Sequence, residues 1–506
     1  MPRFPSVIRT FAGGLFCLLS SSAAAQFACT DVATRHTFSL EGEITDADFA
    51  TYIELPFDMP AGVRRLDVTF DYDRSDRTTI DLGLLDANGF RGWSGGNKSE
   101  FFVTANAATP SYSSGPIDAG TWNLLLGVPN IRKGVSAAYS AEITLQCLGT
   151  PDSKAVAGSR GRDWYVGDLH AHSAHSDGSC GNDLGTTVSC PAALSVQTAA
   201  ERGLDFIALT EHNAVSHHAV LAELQAFYPK TLLLAGREVT TFFGHANAFG
   251  ATEFVDFRLQ QRTGYSVTDL QSQVRALGGL LSINHPGSPS GEDCMGCGWV
   301  LPDTDYSRID AIEVVNTGFV DMPRGQAHLA FWHDKLNQGH RITGIGGSDN
   351  HTATRPAQQP SAIGNPRTWI FAEALSEAAL LEGIRAGNVA IDVSGGQTKL
   401  LSFEAAGAVM GGTVSLASLE QGAVSLALAW ESSEELEPRW TVDGNIVAAT
   451  GANSDSSDTA IRWQGSLALT ALVGESEAVA PKWLRVDLMT PRGATRLIGN
   501  PIYFDP

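Results

Sequence analysis

The chain holds 13 histidines, and all but His36 fall between residues 170 and 351. His170-x-His172 follows directly on the apolar run Tyr165-Val-Gly-Asp-Leu. In an extended segment residues i and i+2 point the same way, so both imidazoles can reach one metal ion. Asp177 comes next, in a Ser176-Asp177-Gly178 turn that can fold a carboxylate back. A lone His-x-His pair is a weak signal. Here it has company at matching places. Glu211 and His212 end one apolar run, Glu238 ends another, and His245 sits in Gly-His-Ala-Asn. His285 ends the run 281–285 before Pro286-Gly287, and Asp349 and His351 end the run 342–351. A scatter of unrelated packing or surface histidines would not reach so many strand ends together. Mixed imidazole and carboxylate donors suit Zn, Mn or Fe and disfavour thiolate copper sites.

The elements that must position these residues alternate in type. Apolar strand candidates lie at 164–169, 205–209, 231–235, 280–283, 309–315 and 342–345, with helical patterns between them. Ser266-x-x-Asp269 reads as a capping box ahead of Val267, Leu270, Val274 and Leu277, with Gly278-Gly279 as the stop. Leu329, Trp332 and Leu336 repeat the helical pattern before Gly339, and 376–387 forms another. Repeated β-then-α units imply an α/β fold with a largely parallel sheet, a barrel or a doubly wound layer. In such folds the carboxyl ends of the strands gather on one face.

On either side the texture changes. Residues 26–150 alternate polar and apolar with turn-forming clusters between, which predicts a β-sandwich. A polar linker spans 151–162, residues 163–395 carry the histidines, and 396–506 returns to short strands. The first 25 residues read as a signal peptide: Arg3 and Arg9, an apolar stretch, then Ala23-Ala24-Ala25. The expected location is secreted or periplasmic. An exported chain favours disulfides, and locality pairs Cys29 with Cys147, Cys180 with Cys190 and Cys294 with Cys297. The competing reading of Cys294-Met-Gly-Cys297 is half a zinc site or a redox pair.

The formal charge of -21 argues against nonspecific nucleic-acid binding or docking on an anionic membrane. The chain contains no P-loop, G-x-S-x-G elbow or dinucleotide fingerprint. Ser173, Thr210 and Ser348 are hydroxyls beside the candidate ligands, but no free base is placed to activate them.

The segments DLHAHSAHSD (168–177), TEHN (210–213), Gly236–Glu238 as Gly-Arg-Glu, NHPG (284–287) and GSDNH (347–351) resemble the PHP superfamily, named for polymerase and histidinol phosphatase domains. Gly244-His-Ala-Asn-Ala-Phe-Gly, Glu313-Val-Val-Asn and the late Asn500-Pro-Ile-Tyr503 look most like its carbaryl-hydrolase-type (CehA/McbA) branch. The resemblance covers about 163–395 and implies a distorted (β/α)7 barrel flanked by the two β-rich segments, with two or three divalent metal ions. Carried over residue by residue, it implies His170, His172, Glu238 and Asp349 around one metal, with Glu238 as a bridge. His245 and His285 would join Glu238 on a second, and Asp177, His212 and His351 would form a third. Glu238, Asp349 and His245 are the expected catalytic residues. Glu211 departs from the Asp usual in the family, and His175 is an additional histidine. His217, His218, His328, His333 and His340 match no motif and read as packing or surface residues.

The implied activity is hydrolysis of a small-molecule ester by a metal-bound hydroxide, with a phosphoester favoured. Arg355, after the last motif, is a candidate to hold a phosphate oxygen, or else a surface arginine. A carbamate, carboxylic ester or amide would use the same chemistry. The reading from another class is an exported binding protein with an inert barrel, but such a barrel should have lost ligands, and all nine are present.

Overall fold

Leu66, Val68 and Phe70 alternate with Asp67, Thr69 and Asp71 along Arg65–Tyr72, and only the apolar set is buried. The same period builds two antiparallel four-stranded sheets in this part of the chain. One takes Arg35–Thr45, Ser136–Gln146, Arg65–Tyr72 and Glu100–Thr104 in spatial order; the other takes Tyr52–Met59, Gly120–Asn130, Thr79–Asp86 and Gly89–Gly95. Their inner faces share a core that includes Leu66, Trp122, Leu124 and Ile143, and Cys29 is bonded to Cys147. The computed structural model describes residues 29, 35–96, 98–147, 152–259, 264–290, 296–454, 460–469 and 480–506. The expected signal peptide and Cys294 lie outside them. Cys180 is bonded to Cys190, and Cys297 is also disulfide-bonded.

In the central part the apolar runs are buried on both faces, as strands covered by helices must be. Phe206–Leu209 is wholly buried and lies parallel between Asp163–Asp168 and Leu232–Ala235. The helices Ala192–Glu201 and His217–Gln225 make the crossovers. A second sheet takes Arg237–Thr241, Gly244–Phe249, Leu280–Ile283, Ala311–Asn316 and Thr343–Gly347 in order, the last three parallel. Val267–Ala276 begins at the reciprocal Ser266/Asp269 cap that the spacing predicts. Gly278, at φ +74, follows its end.

The result is a mixed α/β structure in several sheets, rich in strands. The strand pairing does not draw the expected (β/α)7 barrel. Five α-helices occur among the described residues, and the two central sheets approach each other through single parallel bridges, His212 to Glu238 and Ala171 to Asn350. One physical reason is the join between Arg237–Thr241 and Gly244–Phe249. Two residues separate these strands, enough for an antiparallel hairpin but far short of a parallel crossover. Arg367–Ala372 likewise runs antiparallel to Asp163–Asp168.

The C-terminal strands are continuous with this centre. Thr495–Gly499 pairs with Val389–Asp392, and Trp483–Met489 and Glu437–Val442 extend the same sheet. A five-stranded sheet built on Thr398–Ala405 and Ala423–Ser432 covers it, with Phe403, Trp430, Trp440 and Val486 among the core residues. The fully buried Asn500 fastens the join. Its Oδ1 accepts from Gly344 N at 2.7 Å, and its Nδ2 donates to the carbonyls of Gly344 and Val389, each at 2.8 Å. Among the described residues no helix is long and apolar enough to cross a membrane.

Asn500→Ala strands one backbone donor and two acceptors in the core. Burying unpaired polar groups of this kind should cost about 2–4 kcal/mol in total, read from urea unfolding followed by tryptophan fluorescence. A loss below about 0.5 kcal/mol would contradict the fastening role.

Candidate metal centre

Glu238 stands at the middle of the histidine cluster. Strand alternation turns its side chain inward, and it is 1% exposed. Its Oε2 lies 3.4 Å from His170 Nε2, 3.5 Å from His172 Nε2 and 2.9 Å from His212 Nδ1. Its Oε1 lies 3.3 Å from both His245 Nδ1 and His285 Nε2, and accepts from Asn284 Nδ2 at 3.0 Å. Asp349 Oδ1 faces the same two imidazoles from the other side, 3.4 Å from His170 Nε2 and 3.3 Å from His172 Nε2. Asp177 reaches toward His212 Nε2 at 3.6 Å and His351 Nε2 at 3.3 Å. All nine sequence-predicted residues therefore meet in one place.

Three groups within it have ligand atoms close enough to share an ion: His170, His172 and Asp349; His172, Asp177, His212 and His351; and His245, His285 and Cys297. The grouping differs in two respects from the assignment that the resemblance implies. His172 belongs to two groups, its ring stacked 4.2 Å from His351 and 4.4 Å from His212. Cys297 is in a disulfide, so Glu238 is the anionic partner of His245 and His285.

The residues fit a divalent metal on a direct observation. Nε2 of His170, His172 and His245 and Oε2 of Glu238 are buried and make no hydrogen bond of good geometry. Buried polar atoms are rarely left so; here Nε2 of His170 and of His172 face Glu238 Oε2 and Asp349 Oδ1 together, while His245 meets Glu238 through its Nδ1.

Further residues aim the ligands. His170 Nδ1 donates to Glu313 Oε1 at 3.0 Å, which leaves Nε2 as its free lone pair. The other Glu313 oxygen accepts from the His285 backbone at 3.0 Å and from Asn316 Nδ2 at 3.1 Å. His285 Nδ1 donates to Cys297 O, and His351 Nδ1 donates to Asp349 O. Glu211, buried, accepts from Ser173 N at 3.0 Å and from the Ser173 and Ser176 hydroxyls, each at 2.5 Å. It thereby holds the loop that carries His172 and Asp177. The Glu313-Val-Val-Asn motif is visible in the sequence, but its role as an aligner of two ligands is not. The same holds for Asn284.

His217 bonds the carbonyls of Leu209 and Gly236, His328 accepts from Gly287 N, and His333 accepts from Arg485. These are packing roles, as expected. His175 bonds Ser216. Arg355 donates from Nη1 to Pro360 O at 3.1 Å, a tie within its own loop.

The charges interlock. Burial alone would lower His170, but Glu313, Asp349 and Glu238 outweigh it and raise it well above the usual imidazole value. Burial opposes the carboxylates on His212 too, yet Asp177 and Glu238 lift it to about 10. His285 and His351 are raised for the same reason. His172, with no carboxylate on Nδ1, is lowered by its burial. Glu238 and Asp349 are held well below the carboxylate range, because the facing imidazoles outweigh burial.

Comparison with known protein families finds no match, and comparison with curated proteins finds none either. Two solved structures match in part. One, from Bifidobacterium adolescentis and named provisionally as a metal-dependent phosphoesterase, is 17% identical and covers 37% of this chain and 88% of its own, with a TM-score of 0.26. The other, a cyanophage Pam1 capsid asymmetric unit, is 16% identical and covers 26% of this chain and 98% of its own, with a TM-score of 0.17. Neither likeness is close enough to bear on the fold.

Two outcomes follow. Glu313→Gln should weaken binding of Zn or Mn about 10–100-fold in titrations against a chromophoric chelator; unchanged affinity would remove its aligning role. In metal-stripped protein, a raised imidazole such as His212 adds stability that is full below its unfolded value and fades as pH rises through about 10. Metals must displace such protons, so affinity should climb from pH 6 to 8 with measurable proton release. Affinity independent of pH would contradict this.

Proposed function

We propose that this chain is a metal-dependent hydrolase of the PHP type, acting on a small-molecule phosphoester outside the cytoplasm. The observation that carries the reading is the pair of unpartnered, buried Nε2 atoms of His170 and His172 turned toward Glu238 and Asp349. The three adjoining ligand groups favour a phosphoester over a carbonyl substrate. A phosphate presents several anionic oxygens, each of which gains from a nearby cation, whereas a carbonyl presents one. Divalent cations held here would supply Lewis acidity and lower the pKa of a water that attacks the ester.

The chain's own residues do the positioning. His170, His172 and Glu238 are sealed from solvent, whereas His212, His351 and Asp177 are 27%, 36% and 55% exposed. The substrate therefore enters on the Asp177 side. Glu313 and Asn284 keep the inner donors from turning as the charge changes. Arg324, beside the site, donates from Nε to Ser288, three residues past His285. Among the described residues it forms no ion pair, and we assign it to an anionic part of the substrate.

The test uses aryl phosphate mono- and diesters, aryl carboxylic esters and aryl carbamates. Phosphoesters should turn over best, chelation should abolish activity, and Mn, Fe or Zn should restore it. The rate should rise with pH through an ionisation near 7. Asp349→Asn should cut turnover by roughly 100-fold or more, since it removes a ligand charge at nearly constant volume. Ser173→Ala and Thr210→Val should matter far less. Full activity after metal stripping, or an intermediate trapped on either hydroxyl, would sink the mechanism.

A further inference from the structure

Arg237 precedes Glu238 on the strand Arg237–Thr241, so its side chain leaves the opposite face, away from the metal centre. It is 1% exposed. Nη2 donates to Glu253 O at 2.6 Å, but Nε and Nη1 are buried with no hydrogen-bond partner. Among the described residues no carboxylate comes within ion-pair distance of it. Glu253 supplies only its carbonyl, because its carboxylate is taken by Arg64 from the N-terminal sheets. Near Arg237 lies His218, 3% exposed, whose ring faces the backbone carbonyls of Gly236 and Thr252. Burial first, and Arg237's charge second, lower that imidazole to about 3, so it brings no second positive charge beside Arg237.

A guanidinium cannot shed its charge at working pH. A water could satisfy the two open N–H groups, but it could not balance the charge. An uncompensated buried ion costs several kcal/mol. We infer that Arg237 Nε and Nη1 form a buried site for one small monovalent inorganic anion of the chloride class. One charge needs balancing, which favours a monovalent ion, and the nearby Glu253 carbonyl disfavours a bulkier, multiply charged one. The site serves to stabilise the seam where segment 252–253 meets the N-terminal sheets through Arg64 and through Asn106, which donates to Thr252 O. It is independent of the hydrolase reading, since it involves neither the metals nor their ligands.

The test is done on the full chain. Thermal unfolding is compared in sodium chloride, sodium bromide and sodium gluconate at equal ionic strength, which holds general screening constant. The midpoint should rise by a few degrees in chloride or bromide over gluconate and should saturate, as binding to the folded state requires. A crystal grown in bromide should show an anomalous peak within hydrogen-bond reach of Arg237 Nε and Nη1. Arg237→Met should abolish the halide-specific rise and the peak. If that variant does not fold, the bromide map of the unaltered protein decides alone. A water at that position, or the Glu253 carboxylate turned onto Arg237, would overturn the inference. So would a bromide peak with no halide-specific shift, which would mark an adventitious ion only.

Discussion

One buried carboxylate organises the centre of this molecule. Glu238, 1% exposed, is ringed by five imidazoles at 2.9–3.5 Å. A carboxylate so enclosed is tolerable only if positive charge surrounds it. Protons on the histidines can supply that charge, and so can divalent cations. The cations are the better fit because the inner nitrogens meet the carboxylates at metal-spanning separations and without good hydrogen-bond geometry. The neighbouring backbone leaves no slack. A Cβ on Gly236 would come within 2.8 Å of Thr210, and one on Gly347 within 2.4 Å of His170.

The fold spends local strain to keep the ligands there. His285 at φ 28 and Asp349 at φ 51 sit in backbone regions that side chains disfavour, each costing about 1–3 kcal/mol. Such residues persist when their surroundings over-determine them. Asp168 does part of this, accepting from Ser348 N at 3.0 Å, His170 N at 3.2 Å and Gly364 N at 2.7 Å while fully buried. It locks the loop before Asp349 to the loop before His170. Glu313 does the rest, joining His170 to the backbone of His285.

The ligand set was legible because most of its members close a short apolar run and the others, Asp177 and His245, sit in or beside adjoining turns; such runs mark buried strands. Leu280–Ile283 appears at its expected bounds, and the others shift by a residue or two. Closure of the sheets was not legible, because hairpin and crossover differ by the length of a join that contains no helix signal at Phe242-Phe243. Nor was the merging of the last strands with the central sheet. Their alternation gives each a face but no partner, and Asn500 meets Gly344 across 156 positions. Glu313 shows the same limit. A carboxylate inside the apolar strand Ala311–Asn316 announces an unusual role, yet nothing local points to an imidazole 143 residues away.

The most direct test of the central claim is where metals sit. Anomalous difference maps collected above and below the Mn, Fe and Zn absorption edges on crystals of the purified chain would show it. The account expects at least two metal peaks, with the Glu238 carboxylate between them and His170, His172, His245 and His285 in their coordination spheres. Maps without a metal peak in this cluster, after incubation with each ion, would contradict it. So would a single peak that leaves Glu238 unligated.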